Sequence, residues 1–200
     1  LGPETTLALF ESVQYPQQGD FVDQPYEYSS DVTNDRVSVT LVRNGHVWLG
    51  EKRVPVRVEK TFIMAPDTST LDAHYRVINL GDFNLQSRFG IELAFGYDGG
   101  DNIDYCYVKA NNQQFSMGQA HELQNVQHYQ AITKIRHFST AFALSQAATL
   151  WMFPLAPITL SEEGFERVHQ GIVTIPIWSL NLAPQETWET NIRIDIAPLT

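Results

Sequence analysis

Three carboxylates crowd one short stretch, Glu162, Glu163 and Glu166 of SEEGFE. Paired carboxyl groups are what glycoside hydrolysis uses, one to protonate the leaving oxygen and one as base or nucleophile. The spacing argues against such a pair. Neighbouring turn residues point apart, and acids collect in the first turn of a helix because its dipole favours negative charge there. The segment is therefore predicted to be a single helical turn capped by Ser161. Asp98, Asp101 and Asp104 of DGGDNID could offer oxygen ligands to calcium, but they lack the spacing and closing glutamate of an EF-hand. A solvated turn is the expectation there, with calcium left open. The six histidines, His46, His74, His121, His128, His137 and His169, form no HxH or HxxxH pair, so no metal site is predicted. Cys106, between Tyr105 and Tyr107, reads as a small buried hydrophobe. Nucleophile-elbow, phosphate-loop and dinucleotide motifs are absent from the sequence, and no cofactor is expected.

The elements that would position these residues are strands. RVSVTLV puts Val37, Val39 and Leu41 on one face, and VPVRVEK alternates Val54, Val56 and Val58 with Pro55, Arg57 and Glu59. RFGIELAF alternates around Phe89, Ile91, Leu93 and Phe95, and the last strand around Ile192, Ile194 and Ile196. About ten extended segments can be counted in this way. Asn44-Gly45, between two of them, predicts a tight hairpin turn. Pro55 is expected at an edge or among a strand's first residues, because it cannot donate to a ladder. A short helix is predicted over 6–12, and 116–130 is read as loop or strand. Many short strands with no βαβ alternation and no repeat indicate a large antiparallel sandwich or barrel.

Composition narrows the function classes. Two hundred residues with 43% hydrophobic content describe one domain with a sizeable core. A formal charge of −10 and a pI near 4.9 repel phosphate backbones and anionic headgroups, which speaks against nucleic-acid or membrane partners. A single cysteine excludes a disulfide framework and favours a reducing, cytoplasmic setting. The start, LGPETTLALFESV, has neither an initiator Met nor the basic and apolar regions of a signal peptide, as expected of a chain cut from a longer protein. Trp48, Trp151, Trp178 and Trp188 offer flat faces on which sugars stack, but large aromatics dominate β cores and burial is the expectation for each.

A resemblance adds to this. LWMFPLAPITLSEEGFERVHQGIVTIPIWSLNLAPQETW, Leu150 to Trp188, resembles the closing segment of the C-terminal domain of glycoside hydrolase family 57, the α-amylases and 4-α-glucanotransferases. Trp151, Phe153, Pro154, Ser161, Glu162, Gly164, Phe165, Glu166, Gln170 and Gly171 match its pattern, while His169 stands where many relatives have Tyr. GDFVDQPYEY (Gly19–Tyr28) and FGIELAF resemble the start and middle of the same domain. The resemblance implies a β-sandwich of the galactose-mutarotase-like type, packed against a catalytic (β/α) barrel. In that family the nucleophilic Glu and the acid/base Asp lie on the barrel, and the reaction retains configuration through a glycosyl-enzyme intermediate. Neither has a counterpart here, and 200 residues cannot hold both the sandwich and a barrel of typically about 250 residues.

The expectation is therefore an all-β chain, a single large antiparallel β-sandwich over residues 1–200. It would be non-catalytic alone and would support the barrel of a retaining glycoside hydrolase or glucanotransferase. Its partners would be that barrel and α-glucan oligosaccharides. Phe153-Pro154 and Gly164-Phe165 are expected to serve packing and turns. Glu162, Glu166, His169, Gln170 and Trp178 are the candidates to face a sugar or the barrel. The alternatives are a stand-alone aldose 1-epimerase, for which His74, His121 and Glu166 would be nominated, and a purely structural docking domain.

Overall fold

A computed structural model describes residues 1–97, 102–161 and 164–199. Asp98 and Asp101 of the acidic turn, and Glu162 and Glu163, lie outside the described residues. After a short helix α1 (Leu7–Glu11), capped by the Thr6 side chain, every element is a strand. The first half holds β1 (Glu27–Val32), β2 (Val37–Leu49), β3 (Lys52–Met64), β4 (Thr70–Asn79), β5 (Leu85–Gly90) and β6 (Leu93–Gly96). Next come β7 (Cys106–Ala110), β8 (Gln113–Ser116), β9 (His121–Thr133) and β10 (Phe138–Leu155). The chain closes with β11 (Ile158–Ser161), β12 (Gly164–Arg167), β13 (Gly171–Leu182) and β14 (Thr187–Pro198). None of the described helices is long and apolar enough to cross a membrane.

The helix and most strands fall where periodicity puts them, and 121–133 resolves as strand. The Asn44-Gly45 turn does not form. β2 runs straight through it, with Asn44 paired to Arg57 and Gly45 to Val56. The turn lies at Gly50-Glu51, where Leu49 pairs with Lys52 and Gly50 has φ +63°, the glycine position that a type II′ turn requires. Gly45 is needed for space. Asp20 folds over β2 and accepts the His46 N–H at 2.7 Å, so a Cβ at Gly45 would strike its carboxylate and come within 2.9 Å of the Phe21 ring. At SEEGF, Ser161 ends one strand and Gly164 opens the next, the two being paired, and Glu162 and Glu163 of the predicted helical turn lie outside the described residues. Pro55 is the fourth residue of β3 and lies beyond the last β4 pair, Val56 with Asn79, consistent with its missing donor.

The strands group into two compact units. Unit 1 comprises 1–89, 144–146 and 178–195. Its sheet runs β1-β2-β3-β4-β14, antiparallel at each of these steps, and then β10, with β5 on β13. The valines of β3 point inward, Val54, Val56 and Val58 being fully buried. Tyr75 and Trp188 of the sheet meet Phe89 and Trp178 through ring contacts of 5.4–6.3 Å. The opposite face of this sheet is polar, since side chains alternate along each strand. Unit 2 comprises 90–143, 147–177 and 196–200, and its strands run β13-β10-β9-β7-β8 with β6 on the other side of β13. Tyr129 and Phe142 stack at 4.3 Å in its core, Cys106 is fully buried, and the Tyr129 hydroxyl bonds Thr174 at 3.1 Å.

Candidate functional site

As far as Ile177, the segment that carries the resemblance is one long antiparallel ribbon in unit 2. Thr149–Leu155 of β10 pairs with Gly171–Ile177 of β13 in continuous register. Trp151 is buried, and its indole N–H donates to the Glu122 carboxylate at 2.8 Å. Gly171 has a packing reason: β6 passes so close that a Cβ would collide with the Phe95 carbonyl, whose carbon would lie 2.8 Å away. Beyond Leu155 the ribbon continues through Gln170 N–H to Leu155 O at 2.8 Å and Val168 N–H to Pro157 O at 3.0 Å. It then becomes the β11–β12 hairpin, whose strands, among the described residues, pair only with each other. The flanking ladders stop short of it, β9 at Met152 and β6 at Gly171.

The sequence candidates divide accordingly. Glu166 lies on the hairpin, exposed, opposite Thr159 on the polar face. Gln170 sits at the hairpin's base, where its carbonyl accepts the Tyr97 N–H at 3.1 Å and its side chain is exposed. His169 is half-buried beside it. Trp178 belongs to unit 1, buried against Trp188, with its indole N–H 3.3 Å from Gln146 O. The residue that departs most from expectation is Phe165. Expected to pack, it is 82% exposed, and Leu160 opposite it and Ile158 are 75% and 71% exposed on the same face. An alternating apolar pattern shows that a strand has an apolar face, but not whether anything in the same chain covers it.

The polar face of unit 1 was missed as a cluster, although the alternation of Arg57 and Glu59 with the valines signals it. Glu59 bonds Arg57 at 2.7 Å and Arg76 at 2.6 Å, and Arg76 also bonds Glu189 at 2.8 Å. Glu189, with Glu59, holds the Arg76 guanidinium above its ordinary range. His74 sits 3.5 Å from Glu189. His121, in unit 2, instead packs edge-on against Phe115 at 5.1 Å. Of the three histidine and carboxylate residues nominated for an epimerase, His74 thus takes Glu189 as its carboxylate neighbour. Among the described residues no group of three or more His, Cys, Asp or Glu side chains is gathered as metal ligands would be.

Taken together, the strands define an all-β, antiparallel sandwich of the galactose-mutarotase-like class. A galactose mutarotase-like protein from Lactobacillus casei superposes with a TM-score of 0.60 at 13% identity, over 86% of this chain and 73% of that one, a likeness of fold alone. The family described as "Alpha-amylase/4-alpha-glucanotransferase, C-terminal" matches residues 1–192, and the chain belongs to it. The 4-alpha-glucanotransferase of Thermococcus litoralis is 33% identical over 170 residues, 85% of this chain and 22% of that protein. Its crystal structure matches 96% of this chain with a TM-score of 0.74. Alpha-amylase 1 of Dictyoglomus thermophilum is 27% identical over 173 residues, covering 86% of this chain and 24% of that protein. The chain thus spans about a quarter of the length of these relatives.

Proposed function

We propose that this chain is the non-catalytic C-terminal domain of a cytoplasmic α-glucan-processing enzyme, a single structural domain that supports the catalytic domain of the same polypeptide. The observation that carries the reading is the family match over 1–192 in a chain that corresponds to about a quarter of its relatives. The placement of the acids agrees with it. Among the described residues Glu166 lies exposed on the hairpin, and Glu59 and Glu189 are bonded by Arg76. A retaining glycosidase needs two carboxyl groups facing one bond, roughly 5 Å apart. The test is turnover of maltohexaose by the full-length polypeptide and by residues 1–200 alone. Activity in the former only is expected, and cleavage or transfer by the 200-residue chain would overturn the reading. Calorimetric titration of that chain with maltohexaose, with cellohexaose as control, reads glucan binding separately. Heat with the α-linked sugar alone would add a glucan site to the domain's role.

A further inference from the structure

The far end of the β10–β13 ribbon is apolar where the described residues leave it open. Cross-strand register places Ile158, Leu160 and Phe165 on one face of the β11–β12 hairpin and Thr159 and Glu166 on the other. The three apolar side chains are 71–82% exposed. A two-stranded ribbon is marginal in water by itself, and an exposed apolar strand face is a liability that soluble proteins ordinarily avoid. We propose that the hairpin is a docking arm, and that its Ile158, Leu160 and Phe165 face lies against the part of the same polypeptide outside residues 1–200. This rests on the reading above, in which that part is the catalytic domain.

Three considerations select this occupant. The three side chains would bury on the order of 400 Å² on this side, about half of the roughly 800 Å² per partner of a standard interface between free partners. A tethered partner needs far less, because the linkage supplies a millimolar effective concentration, and the relatives are about four times as long as this chain. A second copy would bring a formal charge of −10 against −10. A sugar needs polar groups converging beside an aromatic ring, and Ile158 and Leu160 supply none.

The experiment places the photo-crosslinker p-benzoylphenylalanine at Phe165 of the full-length polypeptide, and at Glu166 on the opposite face as control. Irradiation is expected to give a product of monomer mass whose crosslinked peptide maps outside residues 1–200, at least five-fold more from position 165 than from 166. A crosslinked dimer, a crosslink within residues 1–200, equal yields from both positions, or no crosslink would each overturn the arm. Maltohexaose turnover by the same preparation keeps the two claims apart. Turnover without the crosslink sinks the arm and spares the reading, whereas the crosslink without turnover does the reverse.

Discussion

The same two strands carry opposite kinds of surface at their two ends. From Thr149 to Met152 and from Gly171 to Ile177 the ribbon is almost entirely buried on both faces, as a central strand is. Some six residues further on, Ile158, Leu160 and Phe165 stand mostly exposed. One face stays apolar along this length. What changes is the neighbours: β9 and β6 flank the base, and neither reaches the hairpin. Apolar content therefore marks where a strand is meant to be covered, while the source of the cover is decided by which neighbours extend that far.

The largest test of this contrast is Ile172→Ala at the base. Ile172 is fully buried, and its truncation should cost about 4 kcal/mol in urea unfolding. A cost near zero would mean the base is not the packed region described. Gly171→Ala should cost about 3 kcal/mol, because the Phe95 carbonyl leaves no room for a methyl. Trp151→Phe should cost about 1.5 kcal/mol through loss of the bond to Glu122, and Glu122→Gln on the phenylalanine background should add little. Tyr97, buried beside the hairpin's base, has its phenol pushed above the ordinary value of 10.0 by desolvation. Unfolding releases it to ionise near 10, so the folded state is favoured fully below pH 10 and loses that contribution as pH rises above it. A stability profile should fall in that range and flatten in Tyr97→Phe. At the arm, Leu160→Ser with Phe165→Ser should change the stability of the 200-residue chain by less than about 0.5 kcal/mol. A larger loss would show that these side chains fold the domain and would erase the contrast.

Sequence carried the fold class well where periodicity was local. Val54, Val56 and Val58 alternate in the sequence and are buried together, as are Ile192 and Ile194. It failed where the reason for a residue lies far along the chain. Asn44-Gly45 has the composition of a turn, yet the glycine answers to Asp20 and Phe21, more than twenty residues earlier. Gly171 was matched by motif, but the β6 carbonyl that requires it could not be seen without the fold. Of the candidate residues, Glu166 and Gln170 are exposed polar groups. Trp178 is buried, and the apolar face of the arm was passed over because Ile158 and Leu160 look like any core strand.

The pairing of β14 with β4 bears on how the protein is made. Ile78 pairs with Thr187 and Thr70 with Asp195, so β4 waits for its second neighbour until synthesis has passed residue 187. At the usual 5–20 residues per second that delay is roughly 5–20 s, during which Tyr75 and the rest of β4 have no strand on the side that β14 will occupy. Nascent chains halted before residue 187 should therefore be held by chaperones or cut by proteases, and codons that slow translation between residues 79 and 187 should lower the yield of folded protein.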